Sequence, residues 1–429
     1  MFGRDLITRT QLRTTPEDSM QYRPLLVGAL ALTVALASSA TVQPAAAAGD
    51  TIVFGSAVSL TGSLTKEGHL TQEGYDFWKN YVNAHGGIKV GGKTYKVDIK
   101  YYDDESKPAT AAQLAERLID QDHVNFILGP YGSGTAFTVA QMVERKKMPM
   151  VEGNGAAEKI FSQGFKYTFA VLSPAKRYLE GIIDVARAGK PAAQTVAITA
   201  ASDSFSQEVA QGVADYATGH GMKVVYNNKY PETATDVSSI ISAVKATNPD
   251  VILNAGHLQD ALLVHKGLKE QNVQAKLYGY SVGPDTPDFV NSLGKDANYV
   301  FGGAQWSDAV KYRADRPGFY STAKDYAKAF EGVYHHRPDY HNAESTAACL
   351  AFQYALQNAG SLDTEKVRDA LAKLDVTTFY GILKFDSRGI NVYKPMVTNQ
   401  IQNGRLVTVW PRGLAEAKVE FPTPPWGKR

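Results

Sequence analysis

From residue 51 onward the chain alternates short β-branched runs with longer segments of helical period, and that alternation restricts it to an α/β fold. TIVFGSAV (51–58) reads as a strand, after which Leu70, Gly74, Trp78, Tyr81, Val82 and His85 share one helix face that stops at Gly86-Gly87. YKVDIKYYD (95–103), a helix from about 108, VNFILG (124–129), a helix over 135–147 and MPMVEG (148–153) continue the pattern. A second run repeats it with QTVAITA (194–200), a helix near 205–220, MKVVYNNKY (222–230), a helix over 236–246, DVILNA (250–255), a helix over 259–271 and AKLYGY (275–280). Strands separated by helices of roughly 10–15 residues form βαβ units with right-handed crossovers. Each run therefore predicts a doubly wound, mostly parallel sheet flanked by helices.

The order changes after about residue 300. Helical patterns cover 319–336, 343–359 and 364–374, and FYGILKF (379–385) and YKPMVTNQI (393–401) read as the two strands of one antiparallel pair. The closing PTPPWGKR reads as an exposed, Pro-rich end. Two sheet-forming runs that share one tail imply two lobes.

The first residues carry a different signal. Arg23 precedes an apolar stretch from Leu25 to Ala37, and a small-residue run, Ala45 to Ala48, follows. Basic start, apolar core and small-residue site are the order of a secretory signal peptide. The apolar stretch is shorter than the roughly 20 residues a bilayer span takes. Residues 1–48 are thus expected to be a signal peptide, with Met20 as the expected start, and the exported chain to be soluble and periplasmic. A lipid anchor needs a cysteine at the cleavage site, and the single cysteine is Cys349. No lipoprotein and no direct membrane anchor are expected. Cys349 sits in the helical apolar run TAACLAFQYAL and reads as a small buried hydrophobe.

Composition removes whole classes. The 429 residues include 45 Lys+Arg against 43 Asp+Glu, a formal charge of +2, which leaves no positive field for a nucleic acid. One cysteine excludes an intramolecular disulfide and multi-cysteine metal sites.

A site is expected beyond the carboxyl ends of the strands, where loops meet helix N-termini with free N–H groups. AVSLTGSLT (57–65), GPYGSGTA (129–136), EGNGAA (152–157) and ASDSFSQ (201–207) are such loops. Their small residues let backbone N–H groups approach an anionic oxygen, and their serines add donors, a cradle suited to a carboxylate. Two enzyme motifs come close and fail. Gly129 and Gly134 have phosphate-loop spacing, but Thr135-Ala136 replaces the lysine and hydroxyl that such a loop needs, so no nucleotide or other cofactor is expected. Gly279-Tyr280-Ser281-Val282-Gly283 matches the nucleophile elbow of secreted serine hydrolases, but Pro284 to Pro287 delay the helix that must follow Ser281. His335, His336 and His341 flank Arg337-Pro338 in a loop and are read as solvated, with no metal.

These features together resemble the periplasmic solute-binding proteins of branched-chain amino acid ABC importers, the Leu/Ile/Val-binding family. SLTGSLTKEG (59–68), NAHGGI (83–88), YYDDESKPATAAQLAERLI (101–119), the GPYGSGTA and DSFSQ loops and GILKFDSRG (381–389) carry the likeness over most of 50–405. The resemblance implies a type I periplasmic binding protein fold, two lobes joined by three crossings near 170, 303 and 376. One lobe would hold 49–170 plus 304–375, the other 171–303 plus 376–429. It implies a monomer that is not an enzyme, a small carboxylate-bearing solute in the cleft, and transient delivery to a membrane permease. A sensory module handing its signal to a membrane receptor is the alternative from another class.

Carried over by position, the family's carboxylate-binding serine falls at Ser133, flanked by Gly132. Its next-loop carbonyl and hydroxyl fall at Gly155 and Ala156, where no hydroxyl exists. Its closing tyrosine falls at Phe205, and its acid for the α-ammonium at Ser281, so the countercharge is missing; Glu152 or Asp285 could supply it. Tyr131, Phe205, Trp306, His257 and His341 are the aromatic candidates for a flat cleft, which suits an aromatic acid as well as a branched aliphatic one.

Overall fold

The computed structural model describes residues 50–429. The expected signal peptide therefore lies outside the described residues. The first elements are β1 (Thr51–Val58), α1 (Thr65–Ala84), β2 (Ile88–Val90), β3 (Lys93–Asp103), α2 (Pro108–Asp120), β4 (Phe126–Leu128), α3 (Ser133–Lys146), β5 (Met150–Glu152), α4 (Glu158–Phe161) and β6 (Thr168–Ala170). Their strands form one sheet in the order β2-β3-β1-β4-β5-β6, parallel except for the edge strand β2. The chain winds from β1 to β3 on one side and to β4 on the other, so the switch point lies at β1/β4. Phe54 of β1 fills the space there, edge-on to Trp78 at 5.7 Å and Phe352 at 5.3 Å.

The chain continues through α5 (Glu180–Ala188), β7 (Thr195–Ala201), α6 (Ser204–Gly219), β8 (Lys223–Tyr230), α7 (Ser238–Thr247), β9 (Val251–Ala255), α8 (Leu258–Glu270), β10 (Leu277–Tyr280), α9 (Pro287–Leu293) and β11 (Phe301–Ala304). After these come α10 (Ala323–Tyr334), α11 (Tyr340–Ala359), α12 (Thr364–Ala372), β12 (Asp375–Thr377), β13 (Ile382–Lys384), β14 (Val397–Gln402) and β15 (Arg405–Trp410). The second sheet runs β15-β14-β11-β10-β9-β7-β8, parallel from β8 to β11 and antiparallel beyond. Both sheets are thus doubly wound and mostly parallel, as the alternation predicts. α11 packs between α1, α12 and the first sheet, and its side chains from Tyr340 to Leu356 are all buried. Cys349 lies inside it, where burial pushes the thiol well above its usual range. No helix among the described residues is long and apolar enough to cross a membrane.

Three expectations about the tail need correction. The runs 379–385 and 393–401 do not pair with each other. β13 pairs with β12, and β14 pairs with β15, a strand missed in the sequence. The turn decides it: Asn403 and Gly404 both have positive φ, 51° and 73°, the two-residue turn whose twist matches a hairpin. The third crossing also falls later than 376. Ile390 still bridges to Ala170 of β6, and the chain reaches the second sheet only at Val397. The C-terminal end is exposed only in part: Pro422, Pro425, Gly427 and Lys428 are exposed, but Trp426 is buried with its Nε1 donating to the Val273 carbonyl at 2.7 Å.

The passages between the sheets are tied together by hydrogen bonds. Ser173 N–H donates to Gln305 Oε1 and Gln305 Nε2 donates to the Ser173 carbonyl, both at 2.9 Å, while Ser173 Oγ donates to the Lys394 carbonyl at 2.6 Å.

Candidate functional site

The loops after β4, β5, β7, β9 and β10 converge on one small cavity of about 10 Å³ between the sheets. Gly132 makes the first turn possible. It takes φ 87°, left-handed backbone that a side chain would strain, and so ends β4 abruptly and starts α3 at Ser133. Ser133 accordingly sits on the first turn of a helix, where unpaired N–H groups and the helix dipole favour an anion. Its Oγ accepts from Ala157 N–H at 3.1 Å, which leaves the hydroxyl proton for a ligand oxygen.

Facing it from the second sheet are Phe205, on the first turn of α6, and His257, the residue before α8. The Tyr131 hydroxyl and His257 Nδ1 meet across the cleft at 3.0 Å, and His257 Nε2 lies 3.6 Å from Asp203. Burial disfavours the imidazolium, but the Asp203 carboxylate outweighs it and raises His257 to about 9. Burial likewise disfavours the Asp203 carboxylate, yet the partner imidazole holds it down to about 2. The pair is thus a largely buried ion pair, neutral overall, on the second-lobe wall.

Further contacts close the cleft. Leu258 N–H donates to Glu67 Oε1 at 3.0 Å, and Glu158 and Lys159 N–H groups donate to the Glu208 carboxylate at 2.5 and 3.0 Å. Lys66 and Asp288 pair at 3.0 Å on the exposed rim.

Of the residues expected at the site, Tyr131, Gly132, Ser133, Phe205 and His257 line this cavity together. Gly155 and Ala156 do not. A Cβ on Gly155 would come within 2.6 Å of the Ala136 Cβ, so Gly155 is packed against its own lobe, and the Ala156 carbonyl is taken up by Ala175 N–H at 2.9 Å, just past the first crossing. Ser281 is fully buried, with Oγ donating to the Gly256 carbonyl at 2.9 Å and accepting from its N–H at 3.0 Å. It joins two strand ends, and the next helix begins only at Pro287, so no elbow forms. Trp306 packs edge-on to Tyr326 at 5.7 Å and donates from Nε1 to the Phe379 carbonyl at 3.3 Å. Glu152 points at Gly129 and Gly155 instead of into the cavity. Burial raises it to about 8 against the N–H groups of Asn154, Gly155 and Gly153.

Sequence reasoning missed Asn154, Tyr178, Tyr340 and Glu344, which complete the lining. His341 lines it too, buried and paired with Asp339 at 3.2 Å, so its reading as a solvated loop residue is corrected. Glu344 is the carboxyl that lines this cavity. It is fully buried on α11, where burial drives its carboxyl well above the ordinary range in spite of nearby Lys394. Asn154 Oδ1 and the Tyr340 hydroxyl have no hydrogen-bond partner among the described residues. The signal for Glu344 and Tyr340 was faint: they lie on a helix more than 180 residues after Ser133, and only folding brings them beside it.

Comparison with known proteins accounts for this architecture. Residues 51–405 match the family model for the periplasmic binding protein. The chain belongs to that family. Among its relatives, the Leu/Ile/Val-binding protein homolog 7 of Brucella suis is 25% identical over 359 residues, covering 80% of this chain and 86% of the relative. The LivJ branched-chain amino acid transporter substrate-binding protein of Streptococcus pneumoniae, solved with isoleucine, superposes with a TM-score of 0.74 at 20% identity, covering 87% of this chain and all of LivJ. A solute-binding protein of an ABC transporter from R. palustris, solved with benzoate, has a TM-score of 0.71 at 17% identity, covering 83% and 95%. At such identities the structural likeness establishes the fold, that of type I periplasmic binding proteins.

Proposed function

We propose that this periplasmic binding protein is the substrate-binding component of an ABC importer, which takes a small carboxylate-bearing solute into the interlobe cleft and delivers it to a membrane permease. The carrying observation is the juxtaposition of Ser133, on the first turn of α3, with the His257–Asp203 pair of the opposite lobe. A carboxylate held there gains the Ser133 hydroxyl and helix N–H groups, with the His257–Asp203 pair facing it, and it joins the lobes. A ligand moves a hinge only by the extra contacts it makes in the closed state. Relatives solved with isoleucine and with benzoate support both a branched aliphatic and an aromatic acid, and Tyr131, Tyr178, Phe205 and Tyr340 would flank either.

Glu344 separates the two. An α-ammonium buried here needs a countercharge, without which the cost is several kcal/mol, and Glu344 is the acid that lines the cavity. Isothermal titration with leucine, isoleucine, benzoate and benzamide tests the reading. Binding of leucine that Glu344→Gln abolishes identifies an amino acid receptor; binding of benzoate that the same change spares identifies an aromatic acid receptor. A folded protein that binds none of the acids sinks the proposal.

A further inference from the structure

A second, larger cavity lies next to the one around Ser133. Tyr340, the first residue of α11, forms part of the first cavity's wall and also part of the wall of this chamber of about 350 Å³. The chamber lies between the loop after β10, the passage beyond β11, the turn before α11 and the β14–β15 hairpin. It gathers two residues that the sequence singled out and the first cavity left aside, Asp285 and Trp306.

Most polar groups around the chamber are matched. Asp308 pairs with Arg337 at 2.6 Å, Asp339 accepts the His341 N–H at the start of α11, and Glu416 accepts from Thr408 N–H at 3.1 Å. Arg405 is exposed at the mouth, where solvent screens its charge. Two buried atoms are left over. Asp285 Oδ2 and the Tyr340 hydroxyl have no hydrogen-bond partner among the described residues, and their side chains are only 8% and 1% exposed. Asp285 Oδ1 accepts from Asn399 Nδ2, while Oδ2 rests beside Gly302, where a Cβ would come within 2.3 Å of it. The charged groups acting on Asp285 are the acid Asp339 and the imidazole His341, with no lysine or arginine among them. A buried acid without a countercharge is costly, and an ammonium would supply both charge and donors to the two unmatched oxygens.

We propose that this chamber is the far half of the solute site, and that the solute is an elongated carboxylate whose other end carries a primary ammonium, received by Asp285 and the Tyr340 hydroxyl. The inference rests on the carboxylate reading of the first cavity. That cavity alone, at about 10 Å³, falls far below the roughly 300–1,000 Å³ usual for ligand sites; the chamber beyond Tyr340, at about 350 Å³, lies within that range and has room for the far end of a two-ended solute.

Calorimetry with matched pairs tests it: lysine against norleucine, and the eight-carbon ω-amino acid against octanoate. The amine-bearing member of at least one pair should bind tenfold tighter or more. In Asp285→Asn that preference should fall to about one, and in Tyr340→Phe it should shrink while the melting curve stays cooperative. Equal or weaker binding of both amine-bearing members, or a preference that survives Asp285→Asn, would overturn the proposal while leaving the carboxylate reading intact. If a folded protein binds leucine, benzoate and all four members of the two pairs to no measurable degree, the carboxylate reading itself falls and this inference with it.

Discussion

Ser133 contributes to the proposed carboxylate site through one hydroxyl whose proton is free, because its lone pair already serves Ala157 N–H. Ser133→Ala should weaken carboxylate binding by about 1.5–3 kcal/mol, the range for a hydrogen bond to a charged group, as read by calorimetry; unchanged affinity would place the carboxylate elsewhere. Two other residues carry signed pH dependence. The fold raises His257 from 6.5 to about 9, so the stabilisation its charge gives the closed protein is present in full below pH about 6.5. It is lost as pH rises through about 9. Asp203→Asn should move that loss to lower pH, measured by thermal melts across the window. Glu152 shifts stability with pH in the same direction, but because burial penalises its charged form. Its carboxyl is raised from 4.5 to about 8, so the native state keeps a proton that the unfolded chain has released, and stability falls as pH climbs between those values. Glu152→Gln should therefore stabilise at pH 8 relative to pH 5, by about 1–3 kcal/mol, the cost of one badly placed buried polar group. Equal gains in urea denaturation at both pH values would mean that Glu152 is not the titrating group.

At the scale of elements, the hydrophobic period located most of the sheets because parallel strands buried on both faces are continuous apolar runs. β7 and β9 show this in residues buried almost without exception. What periodicity did not reveal was pairing. Strand β15 begins with exposed Arg405 at the sheet edge and is fully buried only at Thr408 and Val409, and only the Asn403-Gly404 turn marks it as the partner of β14. β11 illustrates a second limit, since its glycines are dictated by a neighbour. A Cβ on Gly303 would stand 1.9 Å from the Tyr178 carbonyl oxygen, which belongs to the chain entering α5. Gly303→Ala should cost about 1–3 kcal/mol or more in urea denaturation, as overpacking against backbone does. Near-neutral behaviour would show that α5 is free to shift.

The two lobes are held closed by a handful of cross-lobe contacts, among them the Glu208 carboxylate on two N–H groups of α4, the Glu67 carboxylate on Leu258 N–H and the Lys66–Asp288 and Lys176–Glu158 pairs. Glu208→Ala should shift the protein toward an open state, seen as a larger radius of gyration in solution scattering and a several-fold weaker affinity for the solute. Identical scattering curves would show that these contacts do not set the hinge. A bound solute at 100 times its dissociation constant should add about 2.7 kcal/mol of stability, a shift that a thermal screen of carboxylates resolves.

The sequence by itself determined the α/β class, the two doubly wound runs, the family and the half of the site built on strand-to-helix turns. Those features are local: a Gly-Ser pair after a strand creates a helix N-terminus wherever the strand lies. The acid of the site, the partition at Tyr340, the third crossing and the burial of Trp426 were decided only by tertiary structure. Each depends on residues far apart in the chain being brought together, as Glu344 is to Ser133 and Asp285 to Asn399, and no periodicity encodes which distant carboxylate will face a given cavity.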